Sequence, residues 1–162
     1  MKNLAQIKRD LIAGLDRRRA EARALVESLP PELKIYADSD WRLRDLIIHL
    51  TALEADMIRA MQNAIAGAAF QVDMRGQATV EALYELRRRE RARESWRQVL
   101  DEWQRVRKQL RGLVLAFPAD RMEARFSTPF FQEFNLFEAV QACNTHESGH
   151  LAEIRAAARR DA

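Results

Sequence analysis

Along most of this chain apolar residues recur at steps of three and four, a period that restricts it to helices packed side by side. Leu4, Ile7, Leu11, Leu15, Ala22, Leu25 and Leu29 form the first stripe, because residues three or four places apart on a helix share a face. Arg18 interrupts the stripe. Pro30-Pro31 ends the helix, since neither residue can donate a backbone hydrogen bond. Leu46, Leu50, Leu53, Met57, Ala60, Met61 and Ala64 predict a second helix from about Trp41 to Ala66, with Gly67 as its C-terminal cap. Trp96, Val99, Trp103, Val106, Leu110, Leu113 and Phe117 predict a third long helix, opened by a Ser95/Gln98 capping box and stopped before Pro118. Leu136, Ala139, Val140, Cys143, His146, His150 and Ile154 predict the last one, opened by a second capping box, Asn135 with Glu138.

Between the second and third long helices, Thr79 to about Arg93 reads as a shorter, polar helix anchored by Val80, Leu83 and Leu86. Residues 68–78 and 119–134 lack the period and read as connections. Gly and Pro number only 5 and 4, too few to punctuate many strands and turns. The expectation is an all-α fold: one domain over residues 1–162, a four-helix bundle with an additional short helix between the second and third long helices. The lengthy connection before the last helix allows an order other than simple up-and-down.

A formal charge of +3 is too mild to imply nucleic acid as a partner. The run from Arg87 to Arg93 lacks interleaved aromatics and reads as a solvated helix face. No apolar run approaches the ~20 residues of a membrane span, and Met1 to Asp10 has no signal-like apolar core. The lone Cys143 cannot form an intramolecular disulfide and reads as a small buried filler. A soluble, cytoplasmic protein is expected, with no nucleic-acid or membrane partner.

The chain has three histidines, His49, His146 and His150, and all fall on core-facing helical positions. A lone histidine on an apolar face is ordinarily a satisfied core residue. His146 and His150, however, are spaced i, i+4, which places both imidazoles on one face a turn apart, where they can grip one ion. If the second and last helices are neighbours, His49 supplies a third nitrogen. Burying three imidazoles without a shared partner would cost about 1–3 kcal/mol for each unsatisfied group, and a common divalent transition metal removes that cost. Zinc leads; nickel, iron and manganese also accept imidazole.

His146-Glu147-Ser148-Gly149-His150 also matches the zinc-protease pattern H-E-x-x-H, in which Glu147 would be the general base. A helical bundle offers no strand edge to hold a peptide, which weighs against that activity. Glu147, about 100° around the helix from His146, is the candidate catalytic residue: it could orient a ligand, act on a metal-bound water or face solvent. Asp45, one turn before His49, reads as a carboxylate favouring the helix N-terminus more readily than as a partner to a ligand imidazole. Asp56 could line the pocket or be solvated. Trp41, Trp96 and Trp103 read as core or dimer-interface residues.

With Trp41, Asp45 and His49 on the second helix and His146/His150 on the last, the chain resembles the DinB-like superfamily of four-helix-bundle metalloproteins. The resemblance covers nearly the whole chain in helix order and spacing. Arg42 stands where that family often has Ser or Thr as N-cap, so Asp40 or Ser39 would cap instead. The resemblance implies a three-histidine site of His49, His146 and His150 open to water or a small-molecule substrate, and a homodimer. It also implies, for some members, a thiol-dependent transferase or isomerase using a low-molecular-weight thiol. Three readings follow: a metal-dependent enzyme on a small molecule, with thiol-dependent S-transfer as its specific form; a non-catalytic metal-binding or structural dimeric bundle; and a metal-dependent hydrolase.

Overall fold

A computed structural model describes residues 3–161. Its long helices are α1 (Leu4–Glu27), α2 (Leu43–Ala66), α4 (Trp96–Ala116) and α5 (Leu136–Arg160), with a shorter α3 (Val80–Glu90) between α2 and α4. The fold is all-α, as the period requires. In the connection before α5 lie a single 3-10 turn at Ala119–Arg121 and a two-residue hairpin, β1 (Phe126–Ser127) against β2 (Glu133–Phe134), which the period did not foreshadow.

Local chemistry sets the helix ends. Asn3, Thr79, Ser95 and Asn135 each accept a backbone N–H of the following turn through the side chain, and Ser95/Gln98 and Asn135/Glu138 close reciprocal capping boxes. α2 begins later than expected, at Leu43. Neither Asp40 nor Ser39 caps it; Arg42 holds the N-cap position, and its N–H donates to Asp45 Oδ2 at 2.9 Å. Asp45 is thus a first-turn capping carboxylate. Gly67 ends α2 with φ +73°, a left-handed conformation glycine adopts without a Cβ penalty.

α1 and α2 each pack against both α4 and α5. The core falls into two apolar clusters, and their membership gives the helix directions. α1 passes from Leu15 in one cluster to Ala22 in the other, and α5 from Cys143 to Leu151; α2 and α4 run the opposite way, from Leu50 to Met57 and from Trp103 to Val106. The neighbours α2 and α4 are therefore parallel, as are α1 and α5. Joining α2 to the parallel α4 needs a long crossover, which the α3 segment supplies, whereas the hairpin connection links the antiparallel α4 and α5 at one end of the bundle.

Between the two clusters lies a layer of four charges, one per long helix. Arg19, Glu54, Arg107 and Glu147 are 5%, 5%, 3% and 2% exposed. Arg19 donates to Glu54 Oε2 at 2.8 Å and to Glu147 Oε1 at 2.9 Å; Arg107 donates to Glu54 Oε1 at 2.7 Å and to Glu147 Oε2 at 3.1 Å. The Arg107 Nη1 also reaches the Leu15 carbonyl at 2.9 Å, and the Arg19 guanidinium lies 4.2 Å from the Trp103 ring centroid. Each carboxylate accepts from both guanidiniums, so the layer is neutral and closed, the condition under which buried ions are tolerated. The arginine that breaks the α1 stripe is thus Arg19; Arg18 lies toward the surface, paired with Glu21.

Candidate metal centre

α2 and α5 are antiparallel neighbours, and their shared seam carries all three histidines beside the charged layer. His49 lies five residues before Glu54 on α2; His146 and His150 flank Glu147 on α5. His146 Nε2 lies 3.3 Å from His49 Nε2 and 3.1 Å from His150 Nε2. One ligand nitrogen from each residue falls within 4.8 Å of the other two. A tetrahedral ion with metal–nitrogen bonds of about 2.0–2.1 Å keeps its ligand atoms about 3.3 Å apart, so the spacing fits a first-row divalent ion.

The protonation chemistry fits as well. Burial, reinforced by the other two imidazoles, lowers the His49 pKa to about 3. Burial and the neighbouring His150 lower that of His146 to about 4. Both rings are neutral at pH 7, the form that binds metal. His150 Nδ1 lies 2.6 Å from Glu153 Oε2. Burial opposes ionisation of Glu153, but hydrogen bonds from Tyr36 and His150 hold its pKa below the usual carboxylate range. An ionised carboxylate only accepts, so His150 donates from Nδ1 to Glu153 and turns Nε2 inward. Three Nε2 atoms then converge where a single proton could serve only one close pair, and a cation would satisfy them together.

Aromatic rings frame the cluster edge-on. Tyr84 lies 4.5 Å and Trp41 5.8 Å from the His49 ring, and Phe130 lies 5.8 Å from His146. On one side a pocket of 490 Å³ opens directly onto His49 and His150, walled by Tyr36, Trp41, Tyr84 and the acidic Glu81 and Glu85. The pocket joins three segments distant in sequence: the α1–α2 connection, α3, and the α2–α5 seam.

The other candidates lie elsewhere. Glu147 is held in the buried ion layer by Arg19 and Arg107, so its carboxylate faces neither the histidines nor solvent. The turn of the helix past His146 aims it into the bundle axis. Asp56 is buried against Arg87, at 2.8 Å, and Arg59. The Arg87–Arg93 run is largely engaged with acids: Arg88 and Arg89 with Glu85, Arg91 with Glu94. Cys143 is buried, and burial pushes its thiol pKa up, as befits a filler. Trp103 lies in the core, whereas Trp41 also lines the pocket. Glu153, Tyr36 and Tyr84 escaped the sequence reading. Glu153 had a usable signal, being three residues beyond His150 and hence on its face.

The sequence pattern of the DinB superfamily matches residues 10–154. The chain belongs to the DinB superfamily. No curated protein matches it. Among solved structures this DinB-superfamily chain is similar to an uncharacterised protein from Escherichia coli UTI89. The two share 15% identity and a TM-score of 0.74, over 95% of this chain and 94% of that one. At that identity the likeness concerns the fold alone. Among the described residues, no helix is long and apolar enough to cross a membrane.

Proposed function

We propose that this DinB-superfamily protein is a metal-dependent enzyme acting on a small molecule, with thiol-dependent S-transfer as its specific reaction class. The observation that carries the reading is the convergence of three imidazole nitrogens on one point that borders an open pocket. His49, His146 and His150 hold the ion; three protein nitrogens leave a coordination position for a ligand. Zinc is the expected ion, and when bound it supplies Lewis acidity that favours the thiolate or hydroxide form of a ligand. The chain's own residues do the rest. Trp41, Tyr84 and Tyr36 bury the apolar body of the substrate and exclude water from that side of the site. Glu147 is not assigned a chemical role, because the ion layer occupies both its oxygens.

The test is elemental analysis of protein purified without a metal-affinity tag. About one metal per chain is expected, and a His146→Ala variant should lose it. Absence of metal from the wild type after zinc is offered overturns the proposal. Zinc retained without any turnover of thiol and electrophile would leave a metal-binding bundle in place of an enzyme.

A further inference from the structure

Glu153 is hydrogen-bonded both to a histidine of the cluster and to a tyrosine of the pocket wall. Its Oε2 accepts from His150 Nδ1 at 2.6 Å and from the Tyr36 hydroxyl at 2.7 Å. Tyr36 comes from the α1–α2 connection and lines the pocket. The three inward-facing imidazoles are therefore not equivalent. His49 Nδ1 is buried without a hydrogen-bond partner among the described residues, whereas His150 has a carboxylate fixing its tautomer and its ring plane. A single oxygen atom serves both the ligand and the pocket wall.

We propose that Glu153 is a positioning residue shared by the metal centre and the substrate pocket. It fixes His150 as the Nδ1–H tautomer, with the Nε2 lone pair aimed at the metal point, and it accepts the hydrogen bond that the Tyr36 hydroxyl donates. Two consequences follow. Charge on the carboxylate increases the donor strength of His150 toward a cation, as carboxylates behind ligand imidazoles do. Tyr36, its O–H already engaged as donor to Glu153, offers the pocket lone pairs alone, so a ligand reaching both the metal point and Tyr36 must bring an N–H or O–H donor. Glu81, an exposed carboxylate on the same wall with no ion-pair partner among the described residues, adds a second acceptor. The inference rests on the metal-centre reading, but its tests separate from it.

The Glu153 side chain is 43% exposed, so its replacement leaves the core intact and Glu153→Ala should fold. In the metal-free wild type, nitrogen-15 NMR of the imidazoles should show His150 protonated on Nδ1; in Glu153→Ala it should move toward the ordinary mixture of tautomers. Zinc affinity, measured by competition with a chromophoric chelator, should fall about 10–100-fold in Glu153→Ala. Glu153→Gln keeps an acceptor but loses the charge, and its affinity should lie between the two. Tyr36→Phe should weaken zinc binding less than tenfold, and not at all when introduced into Glu153→Ala. Wild-type zinc affinity in Glu153→Ala, or His150 protonated on Nε2 in the metal-free wild type, would overturn the assignment while leaving the metal centre standing. An undiminished Tyr36→Phe effect in the Glu153→Ala background would remove Tyr36 from it. A wild type that binds no zinc would instead sink the proposed function.

Discussion

The bundle interior holds two polar assemblies side by side, and they are satisfied in opposite ways. The Arg19–Glu54–Arg107–Glu147 layer contains equal numbers of opposite charges, each arginine bridging both carboxylates. Nothing further is required of it. The His49–His146–His150 cluster brings together three groups of one kind, all with the same nitrogen turned inward. It lacks an internal counterpart and borders a pocket rather than apolar core. Complementary charges close a site upon itself; like acceptors leave it addressed to something from outside. The two assemblies nearly touch, since Glu147 follows His146 directly, so position in sequence cannot tell them apart, whereas the composition of each partner set can.

The sharpest way to break this contrast is to remove one member from each assembly. Arg107→Ala leaves two buried carboxylates sharing Arg19 alone, an excess of buried negative charge, and should cost about 3–5 kcal/mol of stability, measured by urea denaturation, a large share of the ~5–15 kcal/mol typical of a domain. If the loss is below about 1 kcal/mol, the layer is not the closed unit described. His146→Ala should behave in the reverse manner. Without metal its stability should change far less than that of Arg107→Ala. Saturating zinc at about 100 times Kd should stabilise the wild type by about 2.7 kcal/mol and leave the variant unmoved; thermal melts with and without zinc decide it.

Acid provides a gentler probe. In the metal-free protein the folded pKa values of His49 and His146, about 3 and about 4, lie below the ordinary 6.5. Between those limits the unfolded chain binds more protons than the folded one, so stability is complete above about pH 6.5 and declines as pH falls toward 4 and then 3. The slope is at most about 1.4 kcal/mol per pH unit for each histidine. His49→Gln should flatten part of that slope; an unchanged profile would mean that the histidines do not govern it. The smallest effect is expected at Asp45. Asp45→Ala should cost about 1 kcal/mol through loss of the α2 cap and leave zinc affinity as it is. A tenfold fall in affinity would assign Asp45 to the metal centre instead.

How much of this could be read in the chain depends on whether the cause is local. Capping boxes and apolar stripes are decided within a few residues, and the structure holds them near the expected positions. His146 and His150 are one turn apart, so their pairing follows from helix geometry alone, and His49 needed only the adjacency of α2 and α5. The ion layer was less accessible. Each of its members continues a core stripe, as Arg19 does between Leu15 and Ala22 and Glu147 between Cys143 and Leu151. A single charged residue at such a place gives no sign of which residue answers it. Arg18 and Arg19 stand at i+3 and i+4 from Leu15, and both lead on to Ala22; packing alone chooses between them. Tyr36 and Tyr84 come from a connection and a crossover helix whose placement no period encodes.

The neutral layer has a further effect on the neighbouring histidines. Sliding α2 by one turn against α5 would move Glu54 about 5.4 Å from Arg19 and Arg107 and leave it charged in an apolar surrounding. Oily side chains alone would resist such a slip only weakly, because one leucine fits much like another. The four ions act as a keyed coupling between the shafts of the bundle. Since His49 and His146 are mounted beside the key on those same shafts, the alignment that brings their nitrogens face to face is inherited from it.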